Sequence, residues 1–213
     1  MPRTADHAAR HRQIYNAVRA IADDEGLAAV TISRTAETAS ISVGLVQHYF
    51  PRKESLLIAT HRTLIGDIEE RVAELVDQLE NQRMRIEHIM QRAMQELLPL
   101  DEHRRAEASC MLAFAGLALR QPEFAAESRR WQARLRELIA QAVRNARECG
   151  EVDASEDEHA VAWRVSQLVR GLSWTLFEDP RPETRASGEE SLSTLISTIF
   201  SGPCNRAADA SFS

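Results

Sequence analysis

Apolar residues recur along this chain at intervals of three and four, the period of helices that each bury one face. No stretch alternates convincingly as a strand would. The first helix is expected over residues 6–25, with Ile14, Ala17, Val18 and Ile21 as its apolar stripe and Gly26 just past its end. Two short helices follow, 32–39 and 43–50, joined by Ser40, Ile41 and Ser42; Thr31 and Ser42 stand where N-caps belong. Pro51 separates them from a long fourth helix, Lys53–Asn81, whose Leu56, Leu57, Leu64, Ile68, Val72, Leu75 and Leu79 keep helical spacing. Gly66 is its weak point, since Gly costs about 1 kcal/mol relative to Ala in a helix interior.

Further helices are expected over residues 84–98, 102–120, 123–149, 156–178 and 187–200. Pro99, Pro122 and the Asp179-Pro180-Arg181-Pro182 segment punctuate them, and Gly150 stops the helix before it. The reading is an all-α chain: a three-helix head over residues 1–60, a helical body over 61–201 entered through the fourth helix, and a small, polar tail over 202–213 expected to be disordered.

Composition narrows the function classes. The net charge is −6, which on its face disfavours nucleic acid. Residues 1–60, however, hold seven Arg/Lys against six Asp/Glu and so carry +1, leaving −7 for the remainder. A near-neutral head on an acidic body permits a small, local phosphate footprint rather than a broad basic face. No run approaches the roughly 18 apolar residues of a membrane span, and the polar N-terminus lacks the apolar core of a signal peptide. Cys110, Cys149 and Cys204 are scattered, with no CxxC, and read as packing residues or bystanders in a reduced, cytoplasmic protein. HExxH, G-x-S-x-G, P-loop and G-x-G-x-x-G motifs are all missing. Glu156 and His159 form one Glu-x-x-His, but at an expected helix start, where acidic residues are favoured anyway. No enzyme and no cofactor are therefore expected. His7 and His11, four apart, could share a helix face as metal ligands do, although they sit among Arg10 and Arg12 in a polar arm.

The candidate chemistry lies in residues 31–53, TISRTAETASISVGLVQHYFPRK. Two short helices joined by a tight turn form a helix-turn-helix, whose second helix can enter the DNA major groove. Gln47, His48 and Tyr49 lie on that second helix, and the basic pair Arg52 and Lys53 follows it.

Taken with the first helix and the DDEGL that ends it, VTISRTAETA and SVGLVQHYFPRKESLL resemble the TetR family of bacterial transcriptional regulators over residues 10–57. Ser42, Val43, Gly44, His48, Tyr49, Phe50, Lys53, Glu54, Leu56 and Leu57 carry the resemblance. Ser40 stands where the family usually has Gly, and would hold a left-handed backbone at modest cost. Thr35 stands at a usually aliphatic core position, so its hydroxyl is expected to bond back to the preceding turn. Residues 150–180 are similar to the penultimate helix of choline-responsive repressors of this family.

The resemblance implies that Ser42–Phe50 enters the major groove. Gly44 would let the backbone approach, Val43 and Leu45 would meet thymine methyls, and Gln47 would read base edges. His48, Tyr49 and Lys53 would reach phosphates, and Thr31, Ser33 and Arg34 would clamp the backbone. Packing of Tyr49 on the first helix is the alternative, and Phe50 reads as core.

The body would dimerise and receive a small-molecule signal. Residues 156–178 are apolar on two faces. Val161, Val165, Leu168, Leu172 and Leu176 form one, expected to build a four-helix dimer interface with Leu192, Leu195, Ile196, Ile199 and Phe200. Trp163, Gln167, Arg170, Trp174 and Phe177 form the other, expected to face the interior as a ligand site completed by Met90, Met94, Met111, Phe114, Phe124 and Trp131. Arg170 is either a ligand contact or a structural salt bridge, and both Trp could be plain core. The expected function is a ligand-responsive homodimeric repressor of a pseudo-palindromic operator. A metal-responsive regulator of the same architecture, a helical-bundle enzyme and a helical adaptor are its rivals.

Overall fold

Every segment with helical spacing is a helix in the computed structural model, which describes residues 2–204. The order is α1 (Pro2–Glu25), a single 3-10 turn (Leu27–Ala29), α2 (Ile32–Thr38), α3 (Val43–Tyr49), α4 (Lys53–Asn81), α5 (Ile86–Gln95), α6 (Glu102–Ala118), α7 (Pro122–Cys149), α8 (Glu158–Glu178) and α9 (Pro182–Ile199). Among the described residues there is no strand, so the fold is all-α. The last helix starts five residues before the expected position at 187. Pro182 at its first turn opens it rather than breaks it. The Asp179 carboxylate holds the entry by accepting from Thr184 Oγ1 (2.6 Å) and from Arg181 Nη2 (2.7 Å).

The chain divides into two compact units, and the division inside α4 falls between Asp67 and Ile68. The first unit is Met1–Asp67 with Ser109–Ser128; the second is Ile68–Ala108 with Arg129–Ser213. The return of residues 109–128 to the first unit was not foreseen from the sequence.

In the first unit Ile14, Val18, Val30, Val46, Leu56 and Leu64 are fully buried. The turn between α2 and α3 closes as a Schellman motif: Ser40 N donates to Glu37 O (3.0 Å) and Ile41 N to Ala36 O (3.0 Å). Ser40 takes the left-handed conformation there, with φ 54°. Thr35 is fully buried, but its hydroxyl does not bond back as expected. It has no partner among the described residues. Ion pairs tie the helices at the edges: Arg12 with Asp67 (2.7 Å), and Arg62 with Glu127 through both carboxylate oxygens (3.0 and 2.5 Å).

His61 is the unexpected core residue. It continues the stripe Leu57, His61, Leu64, Ile68 along the inner face of α4 and is 5% exposed. Its ring meets Phe114 edge-on (4.6 Å), and Phe114 stacks on Phe124 (6.0 Å). Its Nδ1 is buried with no partner among the described residues. Burial pulls its pKa down to about 4, against a smaller upward pull from Glu127.

The second unit is held by apolar burial and two polar knots. Arg71 on α4 donates to Glu96 (3.0 Å) and to both oxygens of the buried Glu107 on α6 (2.9 and 2.7 Å). Arg105 donates to the last carbonyls of α8, Leu176 O and Phe177 O (3.4 and 2.8 Å), and lies over the Phe177 ring. A cation at a helix C-terminus is favourably placed. Of the tail expected to begin at 202, residues 205–213 lie outside the described ones. Gly202 is instead bound in place, its N–H donating to Glu151 O (3.0 Å).

Two stability measurements follow. Thr35→Val keeps the shape and removes an unsatisfied buried hydroxyl, so it should raise stability by about 1 kcal/mol; a loss would mean the hydroxyl is bonded. For His61, a folded pKa below the unfolded value means its contribution is intact above about pH 6.5 and lost as pH falls toward 4. Between pH 7 and 4.5 wild type should lose about 2–3 kcal/mol more than His61→Gln in denaturant melts. Equal losses would contradict a neutral, buried imidazole.

Candidate functional site

The face that α2 and α3 turn outward is built by two matching caps. Thr31 Oγ1 accepts from Arg34 N (3.1 Å) and Ser42 Oγ accepts from Leu45 N (3.1 Å). Each satisfies an orphan amide at the start of a seven-residue helix. Inward, Ala36, Ala39, Val46 and Phe50 are buried, and Gln13 of α1 donates to Ala39 O (2.6 Å), fixing the end of α2. Outward, Thr31, Ser33, Ser42, Val43, Gly44, Gln47 and His48 are exposed, while Leu45 is half-buried. A Cβ on Gly44 would meet nothing within 4 Å. The packing within the chain therefore does not require glycine there.

Three nominated phosphate contacts are held by the protein itself. Arg34 pairs with Glu25 through both carboxylate oxygens, which holds Glu25 below the usual carboxylate range. Lys53, the chain's sole lysine, donates to Ala28 O (3.0 Å). Tyr49 is half-buried among rings, edge-on to His7 (4.8 Å) and His11 (5.1 Å) of α1 and to His48 (5.5 Å). This is the packing alternative for Tyr49. His7 and His11 stack on one another (4.6 Å) beside it, and burial, then His7, lowers the His11 pKa.

The aromatic face of α8 is turned outward on the single chain, contrary to the expectation that it faces the interior. Val161 and Val165 are buried inside the chain, as are Leu192, Ile196 and Ile199 of α9; Leu168, Leu172 and Leu195 are half-buried. The aliphatic stripes of α8 and α9 are thus covered in large part within one chain, where they pack on each other and on the rest of the unit. The aromatic stripe points out instead. Trp163 is 57% and Trp174 51% exposed, with Arg170 exposed and Gln167 and Phe177 half-buried. These side chains do not face the interior, and neither Trp is core. Arg136 lies over the Trp163 ring (5.5 Å), and Arg170 forms no salt bridge among the described residues.

The other nominated ligand residues divide between the units. Met111, Phe114 and Phe124 belong to the first, with Phe114 and Phe124 buried; Met90, Met94 and Trp131 are buried in the second. Sequence reasoning missed His61, which faces Phe114. The signal was present as one polar residue on an otherwise apolar stripe of α4.

Residues 14–60 match the family described as bacterial regulatory proteins, tetR family. Residues 86–201 match the C-terminal part of BetI-type transcriptional repressors. The HTH-type transcriptional regulator BetI of Rhizobium meliloti (strain 1021) is 40% identical over 70 residues, 33% of this chain and 34% of that protein. BetI 2 of Chromohalobacter salexigens is 38% identical over 73 residues, 34% of this chain and 35% of that protein. The match thus spans about a third of these curated relatives. A transcriptional regulator from Rhodococcus sp. Rha1 has a similar structure, with a TM-score of 0.76, 25% identity, and coverage of 90% of this chain and 96% of that one. A regulator from Saccharomonospora viridis, solved in complex with choline, shares the fold with a TM-score of 0.75 at 21% identity over 89% of this chain and 96% of that one. These relatives are regulators and not enzymes, no helix among the described residues is long and apolar enough to cross a membrane, and the chain belongs to the tetR family of bacterial regulatory proteins, with the C-terminal region of a BetI-type transcriptional repressor.

Proposed function

We propose that the chain is an effector-responsive repressor that binds a pseudo-palindromic operator as a homodimer. The observation that carries the DNA reading is the capped, outward α3 with an unobstructed Gly44. Its N-terminal turn enters the major groove, Val43 and Leu45 touch thymine methyls, and Gln47 meets base edges. Ser42, His48 and Lys53 meet phosphates, as do Thr31 and Ser33 on α2. Arg34 joins them by exchanging the Glu25 carboxylate for a phosphate. Tyr49 positions α3 against α1 and offers its hydroxyl at the rim.

The second copy docks on the outward face of α8 and α9. Exposed Trp163, Arg170 and Trp174 are the residue types that dominate protein interfaces. On α9 the exposed Ser187, Ser191, Thr194 and Thr198 are small enough for close helix approach. Leu168, Leu172 and Leu195, half-buried in one chain, complete their burial there.

The effector sits in the first unit, against His61, Phe114 and Phe124, with Met111 adjoining. A buried imidazole nitrogen without a partner among stacked rings offers one polar anchor in an apolar wall, which is the make-up of small-molecule sites. Aromatic faces also attract quaternary ammonium groups, so choline is the first effector to test. His61 lies about two turns along α4 from Lys53. A ligand favouring one position of α4 therefore moves Lys53 and the α3 that precedes it.

Operator affinity measured against salt and against choline tests the reading. Lys53→Ala should weaken binding alike across operator variants and lower the salt slope by about one unit. An unchanged slope would remove the phosphate role. Choline should release wild type from the operator but not His61→Gln; release of both would move the effector site elsewhere.

A further inference from the structure

The second unit brings together two cysteines 55 residues apart that nothing above uses. Cys149 is the last residue of α7, and Gly150 follows with φ 87°, the left-handed stop that turns the chain back. Glu151 then points inward, fully buried. Its two oxygens accept from Ile86 N (3.0 Å) and Glu87 N (2.9 Å), capping the start of α5. After α9 the chain returns to this point. Gly202 lies so close that a Cβ there would fall 2.0 Å from Gly150 O, so only glycine fits. Arg85 Nη2 donates to Phe200 O (3.3 Å) and Gly202 O (2.9 Å), clamping the returning segment. These contacts deliver Cys204 to Glu151. One ligand atom each from Cys149, Glu151 and Cys204 lie within 4.8 Å of one another.

We propose that Cys149, Glu151 and Cys204 bind one thiophilic d10 divalent cation, zinc or cadmium in class. Two sulfurs select such ions over magnesium or calcium, which take all-oxygen sites. Three protein ligands leave a fourth tetrahedral position for water. On binding, both thiols lose their protons to solvent, two sulfur–metal bonds and one oxygen–metal bond form, and nothing is oxidised or reduced. Two thiolates and a carboxylate carry −3, which a divalent ion brings to −1; the Arg85 guanidinium, its Nε 3.7 Å from Glu151 Oε2 and its Nη2 3.3 Å from Glu87 Oε2, is shared between the site and Glu87. The Cys149 Sγ is 3.3 Å from Ala146 O and 3.6 Å from Glu151 Oε1, so its thiol points at acceptors that the ion would displace or share. Glu151 keeps its two amide donors, since each carboxylate oxygen has a second lone pair. The cation would staple the segment after α9 to the end of α7 and the start of α5.

The test uses the full chain, reduced and stripped with a chelator, titrated with cadmium alone. A thiolate-to-cadmium charge-transfer absorption should rise and saturate at one equivalent per chain, with an upward shift of the thermal midpoint. Cys110→Ser should keep the band. Cys204→Ser, at a half-exposed position, should lose both band and shift. Cys149→Ser is the harder variant because its site is buried, so the decision rests on Cys204→Ser. No band at one equivalent, or a band that survives Cys204→Ser, overturns the site.

Discussion

A seven-residue helix does not hold itself together in water, where isolated helices below about 12–15 residues are marginal. Both α2 and α3 are that short, and both present polar outer faces. Everything those faces can do therefore depends on what restrains their ends and inner sides. The restraints are few: a hydroxyl cap on each N-terminus, the Schellman turn through Ser40, the Gln13 tie to Ala39 O, and burial of Ala36, Ala39, Val46 and Phe50. Polar groups that could reach DNA are partly committed to the same task. Arg34 holds Glu25, Lys53 holds the carbonyl of Ala28, and Tyr49 wedges between α3 and α1. On the proposed reading the surface is pre-organised by the residues that would contact DNA, and binding would exchange some protein contacts for phosphate ones.

The head was legible because its signals are local. Thr31 and Ser42 announce caps, Gly26 and Pro51 announce ends, and the motif residues between them occupy consecutive positions. The long α4 could be read to its terminal residues because its apolar spacing runs from Leu56 to Leu79 with His61 as a single polar interruption. The body resisted for a physical reason. Helix α8 has two apolar faces, and spacing cannot say which one a chain spends on itself. Most of the aliphatic face is buried within the chain, and the tryptophans are left outside. Likewise Pro182 is a breaker or a first-turn residue depending on what precedes it, and Asp179 decides for the latter. Thr35 shows the opposite failure. A local rule assigned its hydroxyl a backbone partner, and the packed structure leaves it without one among the described residues.

His61 and residues 109–128 change where control is expected to originate. The aromatic residues chosen from the sequence split between the units, and in the first unit Phe114, stacked on Phe124, meets the ring of His61, whose buried Nδ1 has no partner among the described residues. An effector seated there acts on α4 in the same unit that carries α3. The second unit, with its Arg71 and Arg105 knots and the outward face of α8 and α9, would on the proposed reading be the part that pairs two copies.

The central claim is that two copies of this chain read DNA through paired α3 helices. Selection of bound duplexes from a random pool by the purified protein, followed by sequencing, tests it most directly. The account predicts enrichment of an inverted repeat whose half-site centres lie about 34–36 Å apart, one turn of the duplex, or a multiple of it. Enrichment of a single unrepeated element, or none above the input pool, would contradict it.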